Sequence, residues 1–141
     1  MSQPSLFFQE NNLENSTFKA ILYCDGGSRG NPGNSAGGAI VFDTANRELI
    51  RGGIHTGIQT NNYAEYSSLI LGLKLAKSKD VTDLLVRMDS KLVVEQMQGN
   101  WKVKNINLKP CFEAAQNLAR TFKKIAFEHI PRKKNHLADT I

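Results

Sequence analysis

The stretch Ile21-Leu22-Tyr23-Cys24-Asp25-Gly26-Gly27-Ser28-Arg29-Gly30-Asn31-Pro32-Gly33 constrains this chain more than any other. An apolar run meets a single carboxylate, then breaks into glycine, serine, asparagine and proline. Such a run reads as a strand that stops in a tight loop, which sets Asp25 at the strand end, within reach of a ligand. Gly26, Gly27, Gly30 and Gly33 permit positive φ and the close approach of a partner in that loop.

The rest of the chain is arranged around this strand. Residues 1–17 are polar apart from Leu6-Phe7-Phe8 and read as a poorly ordered tail, leaving 18–141 as one domain. Strands are expected at 18–25, 37–43 and 48–56, with short connections that suggest an antiparallel meander. The period then changes. Tyr66, Leu69, Ile70, Leu73 and Ala76 recur at three- and four-residue steps, the pattern of an amphipathic helix over 62–77, with Asn61 or Asn62 as its cap. A buried strand follows at 84–88, ending at Asp89, and then a short helix over 90–97. The stripe Leu108, Cys111, Phe112, Ala115, Leu118, Ala119 and Phe122 marks another helix. A strand over 125–130 comes next, and Asn135 can cap a last helix. The order βββαβααβα predicts an α/β fold with a five-stranded mixed sheet, its first three strands antiparallel and helices packed on it. The helix before the fourth strand is a crossover, so the first and fourth strands can lie parallel and adjacent. Ligand sites in such sheets gather at the carboxyl ends of strands.

Asp25 and Asp89 fall at two such ends, Glu65 heads the sheet-facing stripe of the long helix, and Asp139 follows Asn135 by one helical turn. Four acids from four elements can therefore converge. Like charges 4 Å apart repel by about 4 kcal/mol at an effective dielectric of 20, so a cation is needed among them. Hard oxygen ligands without a thiolate or histidine cluster select Mg²⁺ or Mn²⁺ over Zn²⁺. Two such ions about 3.5–4 Å apart can activate a water and stabilise the leaving oxygen of a phosphodiester. The net charge of +5 is compatible with a polyanionic partner. Cys24 and Cys111 sit in apolar runs without metal-ligand spacing and read as buried packing residues. No segment approaches the ~20 apolar residues of a membrane helix, and no secretory leader is evident, so a cytoplasmic protein without a membrane partner is expected.

Asp25-Gly26-Gly27-Ser28-Arg29-Gly30-Asn31-Pro32-Gly33 resembles the first-strand signature of the type 1 ribonuclease H family. Thr60-Asn61-Asn62-Tyr63-Ala64-Glu65 resembles its second motif, Met88-Asp89-Ser90 its third and Asn135-His136-Leu137-Ala138-Asp139 its fourth, in the family's order. The resemblance implies a ribonuclease H-like fold and endonucleolytic hydrolysis of the RNA strand of RNA–DNA hybrids, leaving 5′-phosphate and 3′-hydroxyl ends. It implies two Mg²⁺ ions, with Mn²⁺ as a substitute, on Asp25, Glu65, Asp89 and Asp139. Gly27, Ser28, Asn31, Asn61 and Asn62 would lie close to the hybrid, and Thr60 would grip a DNA phosphate. Family members often carry a mobile histidine before the last acid. Arg132 is the candidate to replace it, with His129 read as a packed side chain and His136 as solvated.

Two departures from the family pattern stand out. The basic, aromatic handle of some relatives is reduced to Trp101-Lys102-Val103-Lys104, with Trp101 expected in the core and hybrid affinity resting on Lys102, Lys104, Lys109 and the 132–134 run. The last helix has two residues after Asp139, where relatives continue. A monomer with no protein partner is expected. A non-catalytic hybrid-binding module, or another nuclease of the same superfamily, is the alternative reading.

Overall fold

The computed structural model describes residues 16–137. The chain forms β1 (Lys19–Arg29), β2 (Gly33–Asp43), β3 (Glu48–Gln59), α1 (Asn61–Ser78), β4 (Asp83–Met88), α2 (Lys91–Met97), α3 (Lys109–Ala119), β5 (Lys124–His129) and a 3-10 turn (Arg132–Lys134). The five-stranded sheet has the order β3-β2-β1-β4-β5. β1 pairs antiparallel with β2, and β2 with β3, while β1–β4 and β4–β5 are parallel. The expected mixed α/β sheet is therefore present. The leading tail up to residue 15, its Leu6-Phe7-Phe8 patch and Asp139 lie outside the described residues.

The core fills the space between one sheet face and the helices. Ala20, Leu22 and Cys24 of β1, Ala39 and Val41 of β2 and Leu84, Val86 and Met88 of β4 are buried against Tyr66, Leu69, Leu73 and Ala76 of α1. Each fully buried leucine or valine contributes roughly 1.5–3 kcal/mol, so the alternation of β1 with the three-and-four spacing of α1 locks the helix to one face. Burial also pushes the Cys24 thiol well up, so it stays a neutral packing group. Cys111 is only partly covered.

The opposite face carries a smaller cluster. Tyr23 and Ile40 pack with Ile130 and Leu137, and the His136 ring meets Tyr23 edge-on at 4.5 Å. Asn135 Nδ2 donates to the Cys24 carbonyl at 3.1 Å, and Asn135 Oδ1 accepts from the Leu137 N–H at 3.2 Å. These contacts fasten the 130–137 segment over β1. The second bond is of the helix-capping kind expected of Asn135, and the helix it would start lies outside the described residues. Among the described residues no helix is long and apolar enough to cross a membrane.

Several expectations are corrected. β1 runs on through its glycines to Arg29, because Gly26, Gly27, Ser28 and Arg29 pair with Gly37, Ala36, Ser35 and Asn34 of β2. The turn comes only after them, where Gly30 takes φ +80. Hairpin pairing thus overrides the strand-breaking tendency of glycine. Thr60, not Asn61 or Asn62, caps α1; its hydroxyl accepts from the Tyr63 N–H at 3.2 Å. Trp101 is 44% exposed, in the loop between α2 and α3, not in the core. His129 is exposed, since β5 is an edge strand whose residues are at most half-buried. His136 is exposed as expected, yet its ring packs edge-on against Tyr23.

Candidate metal centre and groove

The two aspartates meet through the parallel register of β1 and β4. That ladder ends with Tyr23 opposite Arg87. Two residues further along come Asp25, still within β1, and Asp89, the first residue past the end of β4. The crossover helix α1 makes this parallel pairing possible, and it also supplies the third acid. Glu65 reaches the sheet because Gly26 has no side chain. A Cβ there would lie 2.3 Å from the Ala64 carbonyl oxygen, a distance no side chain tolerates. The first turns of α1 therefore rest directly on β1, and the Gly26 N–H donates to Glu65 Oε1 at 2.6 Å.

Ligand oxygens of Asp25, Glu65 and Asp89 all lie within 4.8 Å of one another. Asp25 is 2% and Glu65 8% exposed, and Asp89 is half-buried beside them. Burial, then the Asp89 charge, pushes Asp25 up to about 6, against the opposing pull of Arg132. Burial, then the Asp25 charge, pushes Glu65 up to about 9. Asp89 Oδ2 is buried and has no hydrogen-bond partner among the described residues. An orphaned buried carboxylate oxygen beside two others is what a divalent cation would satisfy, and an all-oxygen donor set suits Mg²⁺ or Mn²⁺. The residues fit the ion that the sequence implied.

The acids close one end of a groove of about 900 Å³, lined also by Gly27, Ser28, Asn61 and Arg132. Arg132 begins the 3-10 turn, is exposed, and bears electrostatically on Asp25. Neither His129 nor His136 lines this groove. The expected substrate-facing residues form a network. Asn61 Oδ1 accepts from the Ser28 N–H at 2.8 Å and from the Ser28 hydroxyl at 2.9 Å, and the Asn61 N–H donates to Asn31 Oδ1 at 3.0 Å. These bonds join the β1–β2 turn to the start of α1. Thr60 and Asn62 are exposed beside them. Arg29, Asn34 and His55 also line the groove. The sequence carried no signal for His55, whose position depends on a bulge in β3.

A family model described as reverse transcriptase-like matches residues 23–141. The chain is 44% identical over 124 residues to the bifunctional protein Rv2228c of Mycobacterium tuberculosis, covering 87% of this chain but 34% of that protein. It thus spans about a third of the length of that curated relative. Ribonuclease HI of Halobacterium salinarum is 36% identical over 119 residues, which is 84% of this chain and 60% of that one. Among solved structures, the N-terminal RNase H domain of Rv2228c superposes with a TM-score of 0.85 at 45% identity, covering 88% of this chain and 90% of the other. RNase H1 of Halobacterium salinarum gives 0.83 at 35% identity, with 86% and 92% covered. LC11-RNase H1, solved in complex with an RNA/DNA hybrid, gives 0.79 at 40% identity, with 86% and 91% covered. With motif, fold and acid cluster agreeing, the chain belongs to the type 1 ribonuclease H family.

Proposed function

We propose that this protein is a metal-dependent endoribonuclease that hydrolyses the RNA strand of RNA–DNA hybrids. The observation that carries the reading is the cluster of Asp25, Glu65 and Asp89, with oxygens within 4.8 Å and one buried oxygen unpartnered among the described residues. The hybrid bound to LC11-RNase H1, a relative of similar fold, supports the substrate class. Asp25, Glu65, Asp89 and, from the fourth motif, Asp139 would hold two Mg²⁺ ions, with Mn²⁺ able to replace them. When bound, such ions supply a nucleophilic water and Lewis acidity at the scissile phosphate.

The chain's own residues do the rest. Asp25 and Asp89 hold their oxygens at fixed separation because they extend neighbouring strands. The Gly26 N–H orients Glu65 toward them. Arg132, beside Asp25, keeps that carboxyl more readily ionised and offers a cation to the cleaved phosphate. The backbone near Gly27, with no side chain above it, and the asparagines Asn31, Asn61 and Asn62 suit the 2′-hydroxyl, which donates and accepts and marks RNA. Thr60, exposed at the head of α1, would hold a phosphate of the DNA strand. Products would carry 5′-phosphate and 3′-hydroxyl ends.

The test is cleavage of an end-labelled RNA–DNA hybrid in Mg²⁺, set against duplex RNA and duplex DNA. The hybrid should be cut inside its RNA strand, and Asp25→Asn should reduce the rate at least about 100-fold. Equal cutting by both proteins would reject the site. Hybrid binding without cleavage in either Mg²⁺ or Mn²⁺ would reject the enzymatic reading.

A further inference from the structure

The ladder between β2 and β3 pairs Ser35 with Gly57 but Ala36 with His55, leaving Thr56 as an extra residue. Ser35 holds this bulge. Its hydroxyl is bonded to the Thr56 hydroxyl and donates to the Gly57 carbonyl at 3.0 Å, while Gly57 takes φ +75. A bulge changes which way the following side chains face. In unbroken register Thr56 would oppose Ala36, and His55 would face the helix-covered side of the sheet. With the bulge, His55 shares a face with Ala36 and with Gly27, the residue opposite Ala36 on β1. Asp25 lies on that face too, two residues before Gly27.

Gly27, Ala36 and His55 thus form a row across three strands, and two strand spacings put His55 about 10 Å from Gly27. The two residues between the acids and the imidazole carry at most a methyl group. A Cβ added at Gly27 would meet nothing within 4 Å. The groove floor is therefore flat, with carboxylates at one end and an imidazole at the other. His55 is exposed and makes no hydrogen bond, ion pair or ring contact among the described residues. Its ring N–H is available to a ligand in the groove. Roughly half to two-thirds of the hydrogen bonds proteins make to DNA go to phosphate and sugar oxygens, so a backbone phosphate is the acceptor to expect for a lone ring N–H at the far side of an open groove.

We propose that His55 donates a ring N–H to a backbone phosphate of the bound nucleic acid, across the groove from the acid cluster, and so fixes how the duplex lies over the metal centre. The inference rests on the nuclease reading above and adds a contact that none of the four motifs contains.

Steady-state cleavage of a labelled hybrid in Mg²⁺ by the full chain tests it. His55→Ala should raise KM about tenfold, the loss expected for one charge-assisted hydrogen bond, with kcat changed less than about twofold. His55→Gln, which keeps an N–H at similar reach, should return KM to within about threefold of wild type. Hybrids carrying one neutral methylphosphonate, scanned along each strand, should contain one position that weakens wild type but not His55→Ala, which identifies the phosphate and its strand. An unchanged KM for His55→Ala overturns the proposal. So does a loss that glutamine does not rescue and no methylphosphonate reproduces, or one that follows removal of a single 2′-hydroxyl. Wild-type protein inert toward the hybrid would sink the nuclease reading and the His55 contact with it. An active wild type with an unaffected His55→Ala sinks the contact alone.

Discussion

Replacing Glu65 by glutamine tests the electrostatics of the acid cluster without any substrate. Three carboxylates with oxygens within 4.8 Å of one another repel by about 3.5 kcal/mol per ionised pair at an effective dielectric of 20. Burial first, and this repulsion from Asp25 second, favour a proton on Glu65 in the metal-free protein, raising that carboxyl from 4.5 to about 9. The folded state binds a proton that the unfolded state releases above pH 4.5, so Glu65 lowers stability as pH rises from there to about 9. The slope is about 1.4 kcal/mol per pH unit, or about 3 kcal/mol between pH 5 and 7. Glutamine carries no such proton and leaves the Gly26 N–H an acceptor. Thermal unfolding in EDTA should therefore show wild type losing ground to Glu65→Gln by about 3 kcal/mol over those two units. That corresponds to roughly 10 °C in Tm for a domain of this size. Mg²⁺ should reverse the trend for wild type, stabilising it more at pH 7.5 than at pH 5.5 with uptake coupled to proton release. Parallel pH–stability curves for the two metal-free proteins would refute the reasoning.

Two further perturbations address neighbouring parts of the site. Gly26→Ala forces a methyl group against the Ala64 carbonyl, so it should destabilise the fold by at least about 3 kcal/mol in urea unfolding and lift Glu65 away, weakening Mg²⁺ binding by calorimetry. Arg132→Ala removes a charge that holds Asp25 down, so the acid limb of kcat/KM against pH should move upward, with a larger loss at pH 5.5 than at pH 8. Arg132→Lys, which keeps the charge, should leave that limb nearly where it is; equal losses at all pH values would show that Arg132 does not act through Asp25.

Sequence by itself determined the elements and the acids. The switch from period two to the three-and-four spacing of Tyr66, Leu69, Leu73 and Ala76 is local, so it identifies α1 as the crossover and with it the parallel neighbours β1 and β4. Asp25, Glu65 and Asp89 were legible for the same reason, since each occupies a recognisable place at a strand end or on a helix face. What only the tertiary structure decided depends on pairing between distant segments. The glycines after Asp25 look like a break until β2 lies beside them. Asn61 reads as a cap until Ser28 and Asn31 draw it across to the β1–β2 turn, leaving the cap to Thr60. Trp101 and His129 look like core by composition and parity, but one lies in the loop between α2 and α3 and the other ends an edge strand, and both stay exposed. His55 carries no signal at all, because a one-residue bulge two strands away from Asp25 chooses its face, and side-chain direction in a sheet is a property of register, which no single strand contains.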